Sequence, residues 1–159
     1  MMKKHLNKQI QRGVVAVEFA LLIIPMLLMV FGVAEYGRAM YQYNTLVKAT
    51  RDGARYLTTQ AAGSGVNTAK CLVVHGQAVC SGPKVVGNLT TSMVSVCDSV
   101  SCSSTHAAVA TGSGVVNLVT VVISGYQFES AVSFNIGGLT IGLPNITFGD
   151  ISTTMRQVL

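Results

Sequence analysis

Charge is what this chain has least of. Only 11% of its 159 residues are Asp, Glu, Lys or Arg, less than half the usual share for a soluble domain. A surface solvated by water everywhere is therefore excluded. Acid is scarcer still: there are six carboxylates in all, and none precedes Glu18. Tryptophan is missing, and histidine and proline occur three times each. His75 and His106 are isolated in sequence and read as loop residues. No arrangement of Ser, His and Asp suggests an activated nucleophile, and no glycine run has the spacing of a phosphate cradle. That leaves no case for an enzyme and none for a bound cofactor. Cysteine is absent before Cys71, and no internal repeat of about 20–50 residues marks a solenoid.

What is present in excess is apolar surface, half of the chain by composition. Residues 14–33 form an unbroken apolar run with one charge, Glu18, and one proline, Pro25. A helix needs about 20 such residues to cross a bilayer core. The net charge of +5 belongs to the segment before that run: Lys3, Lys4, Lys8 and Arg12 stand there unaccompanied by acid. The rest of the chain holds seven basic and six acidic side chains, a net of +1. This excludes a nucleic-acid footprint and reads as the cytoplasmic flank of a membrane span, with everything after Val33 outside the cytoplasm. Membrane lipid is thus the first partner. Cys71, Cys80, Cys97 and Cys102 all fall in the exported part, where an even set means disulfides. The spacings C-x8-C and C-x4-C do not match the close ligand pairs of zinc sites, so no metal is expected.

The organisation expected is α+β: a long N-terminal helix, transmembrane then amphipathic, packed on a small antiparallel β-sheet. Residues 1–13 are a polar leader, 14–33 the span, 34–60 an extracytoplasmic extension of the helix, and 61–159 a β-rich domain. In the extension, Tyr36, Met40, Tyr43, Val47, Thr50, Ala54 and Leu57 step by four and three, the seam of a helix laid on one surface. Coiled-coil pairing with another chain would use the same spacing. Glu35 with Arg38 and Lys48 with Asp52 are spaced for ion pairs. Gly63, Ser64 and Gly65 end the helix. Strand-like runs follow at 71–74, 93–97, 115–123 and 151–158, punctuated by Gly76, Gly82-Pro83, Gly112, Gly114, Gly137-Gly138 and Pro144. Asn117 and Thr120 interrupt the third run, as in a central strand covered fully on one face only.

Two cysteine pairings suit local geometry. A two-residue turn at His75-Gly76 would set Cys71 opposite Cys80 on a non-hydrogen-bonded strand pair, where Cα atoms lie about 4.5 Å apart, within disulfide reach. Cys97 and Cys102 enclose only Asp98 to Ser101, a short polar loop. These pairs, Cys71–Cys80 and Cys97–Cys102, are preferred among the three that four cysteines allow.

The most informative stretch is Arg12-Gly13-Val14-Val15-Ala16-Val17-Glu18-Phe19. A basic leader closes on glycine, and a glutamate and an aromatic follow inside the apolar run. It resembles the processing site of type IV-like prepilins, which a membrane peptidase cuts after the glycine, here between Gly13 and Val14. An ordinary secretory signal ends in small residues after its apolar core; here the site precedes it, so the helix stays on as an anchor. The alternative is an uncleaved signal anchor. Glu18 within the span costs on the order of 2.5–3.5 kcal/mol at a membrane-helix centre, less near the positive helix start. Its partner is either its own α-amine or that of a neighbour; the plain alternative is a glutamate snorkelling to the interface.

With Ala16-Val17-Glu18-Phe19-Ala20, Pro25, Gly32, Glu35-Tyr36-Gly37-Arg38 and Ala49-Thr50-Arg51-Asp52-Gly53-Ala54-Arg55-Tyr56, residues 12 to 57 are similar to the TadE-like family. These are minor pilins or pseudopilins of the tight-adherence (Tad/Flp) type IV pilus system. The resemblance implies a pilus-assembly role in surface adhesion and biofilm formation. It also implies contacts with a prepilin peptidase, other Tad pilins and the assembly machinery, and that Glu18 and Phe19 set subunit register against a neighbour's α-amine. Arg51 and Arg55 share a helix face, which is either solvated or a contact for acidic groups of a partner. Gly53 inside the helix costs about 1 kcal/mol against alanine, which suggests a close approach or a bend there. A reading from another class is a membrane-anchored extracytoplasmic binding protein, an adhesin or sensor that never polymerises.

Overall fold

The computed structural model describes residues 3–131, 133–136, 139–142 and 145–158. The chain is α+β, a long helix followed by a small antiparallel sheet. The first helix, α1, runs from Lys3 to Thr58 and includes Pro25. It starts before the apolar run rather than at its edge, because nothing between Lys3 and Gly13 breaks a helix. It ends two residues earlier than expected, where hydroxyls take over the last carbonyls: Thr58 Oγ1 donates to Arg55 O at 2.7 Å and Thr59 Oγ1 to Tyr56 O at 3.0 Å.

The chain divides into two compact units. One comprises α1 up to Arg38 together with a hairpin of β5 (Ser133–Ile136) and β6 (Leu139–Gly142). In it the apolar window of α1 is not buried at all. Glu35 is almost fully buried, and its Oε1 accepts from Arg38 Nη1 at 2.6 Å, so the first of the two expected ion pairs forms.

The second unit contains the remaining part of α1 and most of the later chain. Its second helix, α2 (Val66–His75), corrects the reading of 71–74 as a strand. Gly65 and Gly76 bracket it, both with positive φ. Gly76 stands in the left-handed conformation that ends a helix and that residues with a Cβ resist, and its N–H reaches Leu72 O at 2.9 Å. A short 3₁₀ turn (Thr91–Met93) leads into β1 (Val94–Cys97), and a single helical turn, α3 (Ser103–His106), precedes β2 (Val109–Thr111) and β3 (Gly114–Ile123). After β4 (Gln127–Phe128) and β7 (Ile146–Thr147), which pair with each other, the last strand is β8 (Ile151–Gln157).

β3 is the central strand. β8 pairs along one edge, from Asn117↔Gln157 to Ile123↔Ile151. Along the other edge β2 pairs with its first residues and β1 with its last, Cys97 standing opposite Thr120. All pairings are antiparallel. Val119, Val121 and Ile123 are fully buried while Leu118, Thr120 and Val122 are half-buried, the one-sided coverage expected of this strand and its period of two. Against the buried face pack Leu46, Ala49, Ala54 and Leu57 of α1 and Ala69, Val73 and Val74 of α2.

The helical seam thus holds from Val47 onward but not before it. Tyr36, Met40 and Tyr43 are exposed, and Ala39 and Leu46 take the inward positions instead. Small residues also stand on this packed face: Ala49 and Ala54 belong to the core cluster, and Gly53 lies against α2. Tyr43 instead meets Phe148 edge-on, Phe128 stacks on the same ring and Tyr126 lies tilted against it. The Tyr126 hydroxyl donates to Gln42 Oε1 at 2.8 Å. Burial, then the charge of Glu129, push its pKa up, so it stays a donor.

Gly53 marks the tightest contact. A Cβ there would stand 2.6 Å from Val73 Cγ2 and 3.5 Å from the Ala69 carbonyl of α2. Val73 is fully buried and, being β-branched, has little freedom to rotate away. Gly53→Ala should gain about 1 kcal/mol of helix propensity and lose about 1–3 kcal/mol to overpacking, a net destabilisation of about 1 kcal/mol. Val73→Ala opens the space that the new methyl needs. Denaturant unfolding of both single variants and the double should therefore show coupling of about 1 kcal/mol in favour of the double; strict additivity would reject the contact.

Candidate functional site

The residues singled out in the sequence lie on two parts of α1. Gly13, Val14, Glu18 and Phe19 are all exposed, and a Cβ on Gly13 would touch nothing. The helix passes through Gly13 without interruption. From here Leu21, Leu22, Met26 and Met29 are each about two-thirds exposed or more. For a water-soluble surface this would be a severe cost: each such side chain forgoes about 1.5–3 kcal/mol of burial. The same surface suits a helix solvated by lipid, and α1 is long and apolar enough to cross a membrane.

Further along α1, Lys48, Arg51, Asp52 and Arg55 are exposed. Arg51 and Arg55, four apart, present two guanidinium groups on one face. The expected Lys48–Asp52 ion pair does not form: both side chains are exposed, where such a pair gains little over solvation by water. Thr50, on the packed face, is fully buried and satisfied: its Oγ1 donates to Val47 O at 2.9 Å and lies 3.1 Å from Thr153 Oγ1 of β8.

The bridges are Cys71–Cys80 and Cys97–Cys102, with Cα separations of 4.7 and 5.5 Å. These are the preferred pairs, but the first has a different origin from the one inferred. No turn sits at His75-Gly76; Cys71 is a buried residue of α2, and the chain doubles back after Gly76 to bring Cys80 to the helix. Val85 N donating to Val74 O at 2.8 Å and Gln77 Nε2 donating to Ser81 O hold the return loop. His75 is no free loop residue either: it closes α2, and its Nδ1 lies 3.1 Å from Gly82 O.

The second bridge encloses a residue that the sequence reading passed over. Asp98 is 3% exposed, yet both carboxylate oxygens are engaged. Oδ2 accepts from Gly63 N at 2.7 Å. Oδ1 accepts from Val100 N, Ser101 N and Ser101 Oγ at 3.1, 2.8 and 2.9 Å. Burial pushes its pKa up, but the hydrogen bonds from Ser101, Gly63 and Val100 outweigh that and hold the carboxyl below its ordinary value. The carboxylate thereby ties the loop after α1 to the end of β1. The Asp-x-x-Ser spacing after a strand is the signal that would have found it.

His106 is likewise not isolated. Its Nε2 lies 2.8 Å from Thr120 Oγ1 and its Nδ1 2.7 Å from Thr105 Oγ1. Thr120 in turn meets Thr154 Oγ1 of β8 at 2.8 Å.

One family's sequence model, described as TadE-like protein, matches residues 13–55, as the resemblance of residues 12 to 57 led us to expect. The matched stretch begins at Gly13 and closes on Arg55, so it takes in every candidate assembly residue of α1. The match covers part of the chain and lies wholly within α1. No curated protein and no solved structure matches the chain.

Proposed function

We propose that this chain is a minor pilin or pseudopilin of a Tad/Flp-type pilus, anchored in the inner membrane by residues 14–33 with its later residues outside the cytoplasm. On this reading a prepilin peptidase cuts between Gly13 and Val14, and the released subunit joins other Tad pilins through Glu18 and Phe19. The observation that carries it is a coincidence of three features on one helix. The TadE-like match starts at Gly13, the apolar run of residues 14–33 follows directly, and the carboxylate of Glu18 stands inside that run.

On this reading Gly13 also has a physical role in processing. A peptidase needs an extended backbone, and the uncut chain is helical through the cutting point. Glycine is the residue that a helix gives up most easily after proline, by about 1 kcal/mol against alanine, and it leaves no Cβ in the protease's path. Gly13→Leu should therefore retain the leader entirely. Intact-mass measurement of the protein recovered from membranes of cells carrying the pilus system checks this. The native chain should begin at Val14 and the variant should keep residues 1–13. A native chain that keeps its leader in those cells would overturn the reading.

A further inference from the structure

We propose that Cys97, Cys102 and His106 form a conditional site for a thiophilic d10 cation such as Zn2+, available when the Cys97–Cys102 bridge is reduced. The ligand atoms of these three residues all lie within 4.8 Å of one another. Ligands sharing one tetrahedral zinc, with Zn–S about 2.3 Å and Zn–N about 2.0 Å, stand roughly 3.3–3.8 Å apart. Binding requires that the bridged sulfurs separate by side-chain rotation, which the Cα separation of 5.5 Å already allows, and that one imidazole nitrogen exchange its threonine hydroxyl for the cation.

What makes this more than proximity is that the segment is held together without the bridge. Cys97 is fixed by β1, facing Thr120 in the ladder, and that same Thr120 holds His106. Cys102 N donates to Asp98 O at 2.9 Å, and His106 N donates to Cys102 O at 2.9 Å. Asp98 organises the intervening turn through its carboxylate. Each ligand thus has its own backbone anchor, so reduction should leave the three side chains converging. His106 also brings a ready support: one imidazole nitrogen can take the ion while the other keeps a threonine hydroxyl, the usual outer-shell arrangement of metal-bound histidine. All three residues are half-buried, leaving a fourth position open to water. The Cys71–Cys80 bridge serves as an internal contrast, because among the described residues no third ligand joins it.

The chemistry balances simply. A dithiol reductant passes two electrons and two protons to the bridge and is itself oxidised to a disulfide; the two thiols then lose their protons as the cation binds. Bridge and cation are mutually exclusive. Since the bridge spans only four intervening residues, it gains least from restricting the unfolded chain, which makes it the more readily opened kind.

The test uses the full chain in detergent, oxidised or phosphine-reduced, with Zn2+ titrated against a chromogenic chelator. One Zn2+ per reduced chain and none per oxidised chain is expected, with affinity at least tenfold weaker in His106→Ala. That variant keeps all four cysteines, so the comparison isolates the third ligand. Cys97→Ser should lose the site, whereas Cys71→Ser/Cys80→Ser should keep it. Cobalt in place of zinc gives a second readout on the unaltered chain: thiolate charge-transfer absorption with the intense d–d bands of a tetrahedral centre. No uptake by the reduced chain, uptake that follows Cys71 and Cys80, or equal affinity in His106→Ala would each overturn the proposal.

Discussion

Replacing Glu18 with valine should leave the chain in the membrane and remove pili from the cell. The two halves of that result come from opposite physical effects. A carboxylate within a membrane helix costs up to about 2.5–3.5 kcal/mol, so its loss favours insertion. Its position near the start of the apolar run, where the helix dipole favours an anion, reduces that gain. Assembly is the other side. On the proposed reading, cutting after Gly13 exposes the α-amine of Val14, and a neighbour's Glu18 neutralises it within lipid, where an unpaired charge is expensive. Valine leaves that amine unpaired in every contact between copies. Glu18→Asp keeps the charge but shortens its reach, and should give few pili rather than none. Membrane fractionation with counting of surface filaments reads both effects. Normal piliation in Glu18→Val would mean that the glutamate merely snorkels to the interface, and that its place in the motif has no part in assembly.

The parts of the molecule legible in sequence were those governed by local pattern. The apolar run is a one-dimensional signal, and β3 and β8 declare themselves by runs rich in β-branched residues. α2 was misread because Cys71-Leu-Val-Val carries strand propensity while its helical evidence is positional. Ala69 and Val73 stand on one face, and the glycines that cap it, Gly65 and Gly76, look equally like turn residues. Tertiary packing decides such a case: Ala69 and Val73 must meet α1 at Gly53, and only a helix brings both there. The same error reached the right bridge by the wrong route, since Cys71 and Cys80 are neighbours whether the chain reverses by a hairpin or by a helix cap.

The candidate site divides the same way. Gly13, Glu18, Arg51 and Arg55 could be singled out because the pattern that marks them is order along one helix. The early half of the packed seam was misplaced by one position, because Tyr36, Met40 and Tyr43 are apolar enough to suit the period. The inward positions fall instead at Ala39 and Leu46, one residue before Met40 and Val47 of the expected stripe. The His106 contact and the long-range part of the Asp98 network were not legible, because their partners, Thr120 and Gly63, are fourteen and thirty-five residues away. These long-range contacts are made only by the folded chain, whereas the local Asp98-x-x-Ser101 turn is written in spacing.

Removing the Asp98 carboxylate should be the most damaging single change outside the hydrophobic core. Three backbone N–H groups, of Gly63, Val100 and Ser101, and the Ser101 hydroxyl all donate to it. Hydrogen bonds to a charged acceptor are each worth about 1.5–3 kcal/mol, and donors left buried without a partner cost a further penalty. These terms do not add, because the loop can relax toward water once one of them is lost. We expect Asp98→Ala to destabilise the domain by about 3 kcal/mol, and Asp98→Asn by about half as much, since one amide oxygen remains an acceptor. Against a typical total of about 5–15 kcal/mol, the alanine variant should unfold at distinctly lower denaturant. The pH dependence carries the same signature. The folded pKa lies below the ordinary carboxylate value of 3.8, so the unfolded chain binds the proton more readily. Stability then rises with pH through this window: it is complete above about pH 4, near the unfolded value, and is lost as pH falls through the folded pKa. Asp98→Asn, with nothing to titrate, should flatten that slope while leaving stability above pH 5 dependent on the other groups alone. Equal acid slopes for the native chain and Asp98→Asn would show that the carboxylate is not held by these donors in solution.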